Sequence, residues 1–496
     1  MRKYSKIKIN FAGGIISPGL LYQLLEHLEH AGVQQVSFGL RQQLLTNCPT
    51  RKIKPLTTFL EQSNLFYEIN NDAFPNIVTS CPAEDIFIAH TWLSEGTYKD
   101  ILNAIDYPPR FKINISDSHQ SFTPLLTGNI NWVASASVPH FWHLLIRFPK
   151  TNTIYEWDKM VYTNDIARLS KEIEALILNN KTLFYDQPGA DGTTFFLRIQ
   201  EKQYITKPAE QRAVLPEFNL PYYEGLHKHN NRYWLGVYRR DELFPVAFLK
   251  DLCSICLQTK IGQLCSTPWK SVIVKGIEEK DKHLWNALLN IHTINMRHAA
   301  NELNFQVEDN NSKATRLKQY LVKELNNTDT RTFGLCIGIK TRKKSEIFSS
   351  ILVKRKPVLP IRGYALFYLY DILCAHDYNP NKRTGYIFRS NLPRFLLAGN
   401  LRKSLAAFYD QCTHQELPFR GSVTSPVTAS AFTEEPIYQC AHCLTVYDAT
   451  TGDPENGIPA GTAFATLPHT YTCSLCEANK DQFIKIEQES LNRQYL

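Results

Sequence analysis

Two Cys-x-x-Cys pairs, Cys440-Ala441-His442-Cys443 and Cys473-Ser474-Leu475-Cys476, constrain this chain more than any other feature. They are separated by 29 residues, and the second follows Leu467-Pro468-His469-Thr470-Tyr471. A Cys-x-x-Cys turn aims two sulfurs at one point, so two such turns close a tetrahedral four-sulfur site. That donor set suits zinc or iron. The filler between the pairs separates the two metals.

That filler is Tyr447-Asp448, Gly452-Asp453-Pro454, Gly457-Ile458, Gly461-Thr462 and Phe464, with Lys480 and Phe483 after the second pair. In spacing and in filler the whole stretch closely resembles rubredoxin. The resemblance implies one iron held by four cysteine thiolates and passing single electrons, with Cys440, Cys443, Cys473 and Cys476 as ligands. A zinc knuckle needs only the cysteines, so zinc is the alternative metal. The stretch departs from the rubredoxin pattern at three positions. Rubredoxins place glycine after the second cysteine of each pair and proline after the third cysteine. Here Leu444, Glu477 and Ser474 stand in those places. The glycines permit positive φ, which lets backbone N–H groups point at the sulfurs. A non-glycine residue in that conformation costs about 1–2 kcal/mol.

At 496 residues the chain exceeds what one hydrophobic core usually organises, so several domains are expected. Its 43% hydrophobic and 21% charged residues are ordinary for a globular protein. No apolar run reaches the roughly 18 residues a membrane-spanning helix needs. The first ten residues lack an apolar core and a small-residue cleavage site, so no secretion signal is expected. With four of twelve cysteines in metal spacing, a reducing cytoplasmic location is the expectation. The net charge of +8 is unevenly spread. Residues 436–496 carry seven acids and three bases, a net charge of −4, which leaves +12 on the rest. A basic body can attract an acidic redox partner. No aromatic–basic RNA-binding motif is present, so nucleic acid is not an expected partner.

From the start, Ile7 to Phe11 alternates as a strand, with Gly13-Gly14 and Ser17-Pro18 breaking it. Pro18 starts a helix with Ser17 as its expected cap, and Leu20, Leu21, Leu24, Leu25 and Leu28 fall at helical spacing. Gly32 ends it, and Val33 to Leu40 returns as a strand that delivers Arg41-Gln42. The layout recurs about 225 residues later. Tyr233 to Arg239 reads as a strand, a helix runs from Pro245, and the strand ending at Ile277 follows Thr267-Pro268-Trp269-Lys270-Ser271. Two such units point to a duplicated architecture.

At these residues the chain resembles the nitrite and sulfite reductase family. Gly13-Gly14-Ile15-Ile16-Ser17-Pro18 with Arg41-Gln42 looks like that family's first ferredoxin-like half-domain, and Thr267 to Ile277 like the second. Pro109 to Asp117 and the Asn131-Trp132 strand are similar to the start of the lobe that follows. The resemblance covers most of residues 5–412. It implies an α+β body of residues 1–80 (half-domain), 81–222 (lobe), 223–285 (half-domain) and 286–412 (lobe), then a linker over 413–435 and the rubredoxin-like domain over 436–496. In the family, basic residues of both half-domains bind siroheme carboxylates, which would make Arg41 and Lys270 cofactor contacts. The family also holds a four-iron cluster through Cys-x5-Cys and Cys-x3-Cys. The remaining cysteines, Cys48, Cys81, Cys253, Cys256, Cys265, Cys336, Cys374 and Cys412, give neither spacing. Cys253 and Cys256 are close, but both lie on the apolar face of an expected helix and read as core. Siroheme therefore ranks behind iron and zinc, and no catalytic residue is assigned.

Three other stretches carry weaker signals. Met296 to Asp309 reads as a helix placing His298 and Glu302 one turn apart. Lys340, Arg342, Lys343 and Lys344, then Lys354, Arg355 and Lys356, flank an apolar strand from Ile347 to Val353, a basic edge suited to an acidic partner or to solvent. Gly421 to Ser430 is small, polar and proline-bearing, as a linker would be. The expected function is electron transfer to or from a redox partner protein through a tethered iron site. The alternatives are a siroheme-type reductase fed by that site and a zinc-stabilised binding protein.

Overall fold

A computed structural model describes residues 3–87, 91–342, 347–361, 364–416, 437–442, 445–449, 452–453, 456–459 and 461–486. The chain divides into two compact units, Met1–Glu416 and Leu417–Leu496. Most of the expected linker, residues 417–435, lies outside the described residues. The helix Arg394–Glu416 covers its first four positions.

The first unit is a duplication at every level. One five-stranded antiparallel sheet contains Gln35–Phe38, Leu44–Pro49, Tyr4–Ile9 and Tyr67–Ile69. Its edge strand, Phe244–Pro245, comes from the second half. The second such sheet contains Gly225–His229, Arg232–Val237, Val272–Ile277 and Leu264–Ser266. It in turn receives Ile15–Ile16 from the first half. Each exchanged strand runs almost directly into a 13-residue helix, Pro18–His30 or Val246–Gln258. The two helices pack together in one hydrophobic core. Ser17 makes no side-chain cap, and Pro18 alone sets the start of its helix.

The two larger sheets repeat each other as well. Val78–Thr79, Ile113–Ser116 and Ile130–Ala134 are parallel neighbours, and Phe141–Ile146, Tyr155–Tyr162 and Thr206–Pro208 continue antiparallel. In the second lobe Phe305–Val307, Ile337–Lys340 and Ile351–Ile361 are parallel, and Tyr364–Ala375 and Gly385–Leu392 antiparallel. In each lobe one helix lies between the first two strands, Glu95–Ala104 or Ser312–Asn326. A parallel connection needs such a crossover. The expected helix over Met296 to Asp309 is broken: only Ala300–Leu303 is helical, and Phe305–Val307 is a strand. Phe305 and Val307 are buried in a parallel sheet, so sheet pairing outweighs the helical spacing there.

The second unit is a three-stranded antiparallel sheet in the order Val446–Tyr447, Ile437–Cys440, Phe483–Ile486. Its core is aromatic. Tyr438 and Phe464 stack at 4.1 Å, and Tyr447, Tyr471 and Phe483 pack around Phe464. The two buried phenols are satisfied: Tyr447 donates to the Thr462 carbonyl and Tyr471 to Asp453 Oδ2, both at 2.7 Å. Gly452 has φ +70, and a Cβ there would come within 2.6 Å of the Ile458 and Pro459 carbonyl oxygens, so glycine is required.

Candidate metal centre

The strand Ile437–Cys440 ends on the first cysteine of the metal set. There the Cys440 N–H donates to the Thr445 carbonyl at 2.8 Å and the Ala441 N–H to the Gln482 carbonyl at 2.9 Å. The second turn repeats the first of these bonds, with Cys473 N–H donating to the Ala478 carbonyl at 2.8 Å. The same closing bond in both segments accompanies a convergence of the described sulfurs on one space. Cys440, Cys473 and Cys476 have ligand atoms within 4.8 Å of one another, and the Cys440 and Cys476 Sγ atoms are 3.5 Å apart. Metal–sulfur bonds of about 2.3 Å place tetrahedral sulfurs about 3.8 Å apart. The three described thiols therefore fit a tetrathiolate ion. Cys443 and Leu444 lie outside the described residues.

Burial is uneven around the site. Cys440 and Cys473 are buried, whereas Cys476 is exposed and Leu475 beside it is 73% exposed. Glu477 has φ +59, the left-handed conformation that glycine accepts without cost. The carboxyl-bearing residue thus occupies the glycine conformation, with its N–H bonded to the Cys473 carbonyl at 2.8 Å.

The other two residues singled out in the sequence sit in the body. Arg41 and Lys270 both lie in hairpin turns of the half-domain sheets, and the two turns have the same hydrogen-bond pattern. Gly39 and Gln43 bond as Thr267 and Ser271 do, and Gln42 bonds Gly39 as Lys270 bonds Thr267. Gln42 at φ +63 is therefore the structural counterpart of Lys270 at φ +57. Asp309 joins the two turns, accepting from the Leu40 N–H at 3.0 Å and lying 3.5 Å from the Lys270 ammonium. Arg41 turns away, donating to the Asn76 and Ile113 carbonyls at 2.8 and 2.9 Å and to Asn114 Oδ1 at 3.2 Å.

Lys270 is 4% exposed and pairs with Glu242 at 2.6 Å. Lys318, also buried, reaches the Tyr238 hydroxyl at 2.6 Å and Glu242 at 3.5 Å. Burial opposes ionisation of Glu242, but the two ammonium groups outweigh it and hold the carboxyl below its usual range. Glu242, Lys318 and Asp309 were not foreseen, because nothing local in the sequence marks a contact between such distant residues. His298 does not pair with Glu302. Its Nδ1 meets Glu224 Oε1 at 2.5 Å, while Glu302 accepts from Arg240 at 2.8 Å. Cys253 and Cys256 are wholly buried on the Val246–Gln258 helix. Among the described residues, the body shows no group of three or more clustered metal-ligating side chains. No helix among them is long and apolar enough to cross a membrane.

Comparison with known proteins separates the two units in the same way. The rubredoxin family profile matches residues 437–483. Rubredoxin-2 of Chlorobaculum tepidum is 47% identical over 49 residues, which are 10% of this chain and 94% of that protein. Rubredoxin of Megasphaera elsdenii is 44% identical over 50 residues, again 94% of its length. The high molecular weight rubredoxin of Moorella thermoacetica is 47% identical over 73 residues, and this chain spans only 32% of its length. Among solved structures, the NirA protein of Mycobacterium tuberculosis superposes with a TM-score of 0.59 at 13% identity, over 82% of this chain and 81% of that one. The body thus has a NirA-like fold.

Proposed function

Because the chain belongs to the rubredoxin family through its C-terminal unit, we propose that it is a one-electron carrier built on a NirA-like body. Cys440, Cys443, Cys473 and Cys476 would hold a single iron. When bound, iron in four thiolates cycles between ferric and ferrous states. The observation that carries this reading is the convergence of three cysteine sulfurs within 4.8 Å on two equivalent turns. Cys440 and Cys473 shield the inner side of the site. The exposed Cys476 and Leu475 offer the edge through which an electron reaches a partner protein.

For the body we propose a partner-docking role in preference to tetrapyrrole chemistry. The Lys270 ammonium already faces Glu242 and Asp309, and the Arg41 guanidinium already bonds carbonyl oxygens of its own unit. A carboxylate-bearing cofactor at these cations would have to displace protein groups. The strand Ile351–Ile361 carries Lys354, Arg355 and Lys356, and of these Lys354 is exposed, which suits an acidic redox partner. Redox titration of the purified chain tests the reading. One electron per chain, with a visible absorption that bleaches on reduction, supports it. A protein that accepts no electron and carries zinc supports a structural site in its place.

A further inference from the structure

One face of the first lobe's sheet carries a cavity that the electron-transfer reading does not use. Strand register sets its floor. His143 on Phe141–Ile146 is the Cα partner of Met160 on Tyr155–Tyr162, and Met160 is the partner of Lys207 on Thr206–Pro208. Residues directly opposite on neighbouring strands point to the same face, so these three side chains form one row. The register of the middle strand against Phe141–Ile146 shifts between Glu156 and Met160, an irregularity that re-aims side chains. The segment that follows Lys207 is tied to this strand at two points. The Ala209 N–H donates to the Asp158 carbonyl at 2.8 Å, and the Ala213 N–H donates to Glu156 Oε1 at 2.7 Å. Between the row and the segment lies a cavity of about 500 Å³, whose lining includes His143, Met160, Lys207, Ser135 and Arg212. Small-molecule pockets fall in the range of about 300–1,000 Å³.

The polar groups of the cavity are not consumed by one another. His143 is 6% exposed, and its Nδ1 lies 3.2 Å from Glu156 Oε1 without the alignment of a hydrogen bond. No described residue bonds its Nε2, the ring nitrogen left for the cavity that His143 lines. A buried polar side chain without a hydrogen bond is uncommon enough to need a role. Two cations stand at the rim. The Lys207 ammonium sits 4.6 Å from the centre of the Phe141 ring, two residues from His143 along the same strand. Arg212 is exposed, and neither cation has an acidic partner at ion-pair distance among the described residues. Glu210 is the only acid in the lining, so the cavity keeps a positive excess. Met160, Val138 and Val214 give the rest of the wall an apolar surface.

We propose that this cavity binds a small organic acid, a carboxylate on an apolar body. The Arg212 guanidinium is a planar fork that matches a carboxylate with paired bonds, and Lys207 adds a second positive charge. An imidazolium donates from both nitrogens, so His143 can face Glu156 with one and the acid with the other. The buried Ser135 hydroxyl accepts from the Val138 N–H at 3.1 Å and keeps its own proton to donate. A neutral ligand of the same shape would leave the two cations unused. A wholly polar anion such as inorganic phosphate would leave the Met160, Val138 and Val214 surface uncovered.

Isothermal titration calorimetry of the full-length chain with benzoate, and with benzamide as its neutral counterpart, tests the site. Benzoate should bind with a Kd of about 0.1–1 mM, the range that so small a ligand supports, and benzamide roughly tenfold more weakly or worse. Arg212→Gln and His143→Gln should each weaken benzoate roughly tenfold, the loss of one charge-assisted hydrogen bond. Arg212 is exposed, so its variant keeps the fold, and the benzoate–benzamide contrast needs no variant at all. Arg232→Gln, on the wall of a separate cavity of about 1010 Å³, should leave benzoate binding unchanged. Equal affinity for benzoate and benzamide, no binding of benzoate up to about 10 mM, or a loss in Arg232→Gln in place of Arg212→Gln overturns the proposal.

Discussion

The chain contains Cys-Ser-Ile-Cys at 253–256 and Cys-Ser-Leu-Cys at 473–476, nearly the same tetrapeptide in two different roles. In the body it lies within a helix whose buried face is Val246, Phe248, Leu249, Leu252, Cys253 and Cys256. The duplicated half shows what that position asks for. Aligning the two 13-residue helices residue by residue puts Leu25 and Leu28 where Cys253 and Cys256 stand, and both leucines are wholly buried. Cysteine there is a small hydrophobe. In the C-terminal unit the tetrapeptide forms a turn instead, with Cys473 bonded to Ala478 and Glu477 at φ +59. A helix fans its side chains around an axis and sends them into the core, whereas the turn gathers two sulfurs on one side. Spacing does not make a metal site; the backbone carrying it does.

The largest expected effect comes from breaking the turn site. In the proposed iron site Cys473→Ser removes a ligand, and a unit this small would depend on its metal for cohesion. We expect loss of bound metal and loss of several kcal/mol of stability in that unit. All seven tryptophans lie between Trp92 and Trp285, so tryptophan fluorescence reports the body alone and should show an unchanged transition. Visible absorption reports the metal site.

Cys253→Ser should do the reverse. A hydroxyl replaces the thiol in an apolar helix face, at a cost of about 1–3 kcal/mol. The fluorescence transition should fall by that amount while the metal content stays the same.

A change of pH sharpens the same contrast more gently. The Cys253 thiol is raised from 9.0 to about 12 by burial, so the folded state keeps a proton that the unfolded chain loses. Its stabilising contribution is complete below about pH 9 and is lost progressively between 9 and 12, amounting to about 1 kcal/mol by pH 10. Denaturant unfolding of the body at pH 8 and pH 10, read by fluorescence, measures the difference. Cys253→Ala should reduce it by that one thiol's share, because burial also raises the Cys256, Cys336 and Cys374 thiols of the same body.

The smallest effect is at Glu477. Replacing it with glycine relieves the left-handed conformation but loosens the unfolded chain, for a net gain of roughly 0.5–1 kcal/mol. The reduction potential should move as well, read by spectroelectrochemistry. An unmoved potential would show that the turn is already relaxed around glutamate.

How much of this was legible depends on the distance over which each feature is encoded. The metal turns are local, so their cysteines and filler spoke directly from the sequence. The repeated strand–helix–strand units were visible for the same reason, through the leucines from Leu20 to Leu28 and their counterparts near Leu249. The reciprocal exchange of Ile15–Ile16 and Phe244–Pro245 was hidden, because two residues are too few to show a period of two. The pairings of His298 with Glu224 and Lys270 with Glu242 join distant segments and leave no local trace. The break after Leu303 was hidden because Leu303 and Val307 are four apart and fit a helix face, while Phe305 and Val307 alternate as a strand does over too few residues to decide it.

Metal analysis with a visible spectrum, made on the wild-type chain and on the Cys253→Ala/Cys256→Ala double variant, tests most directly whether backbone context selects the metal-binding pair. The expected result is one iron per chain and the same ferric thiolate absorption in both. A colourless wild-type protein carrying zinc after expression with iron supplied, or loss of iron in the double variant, would contradict it.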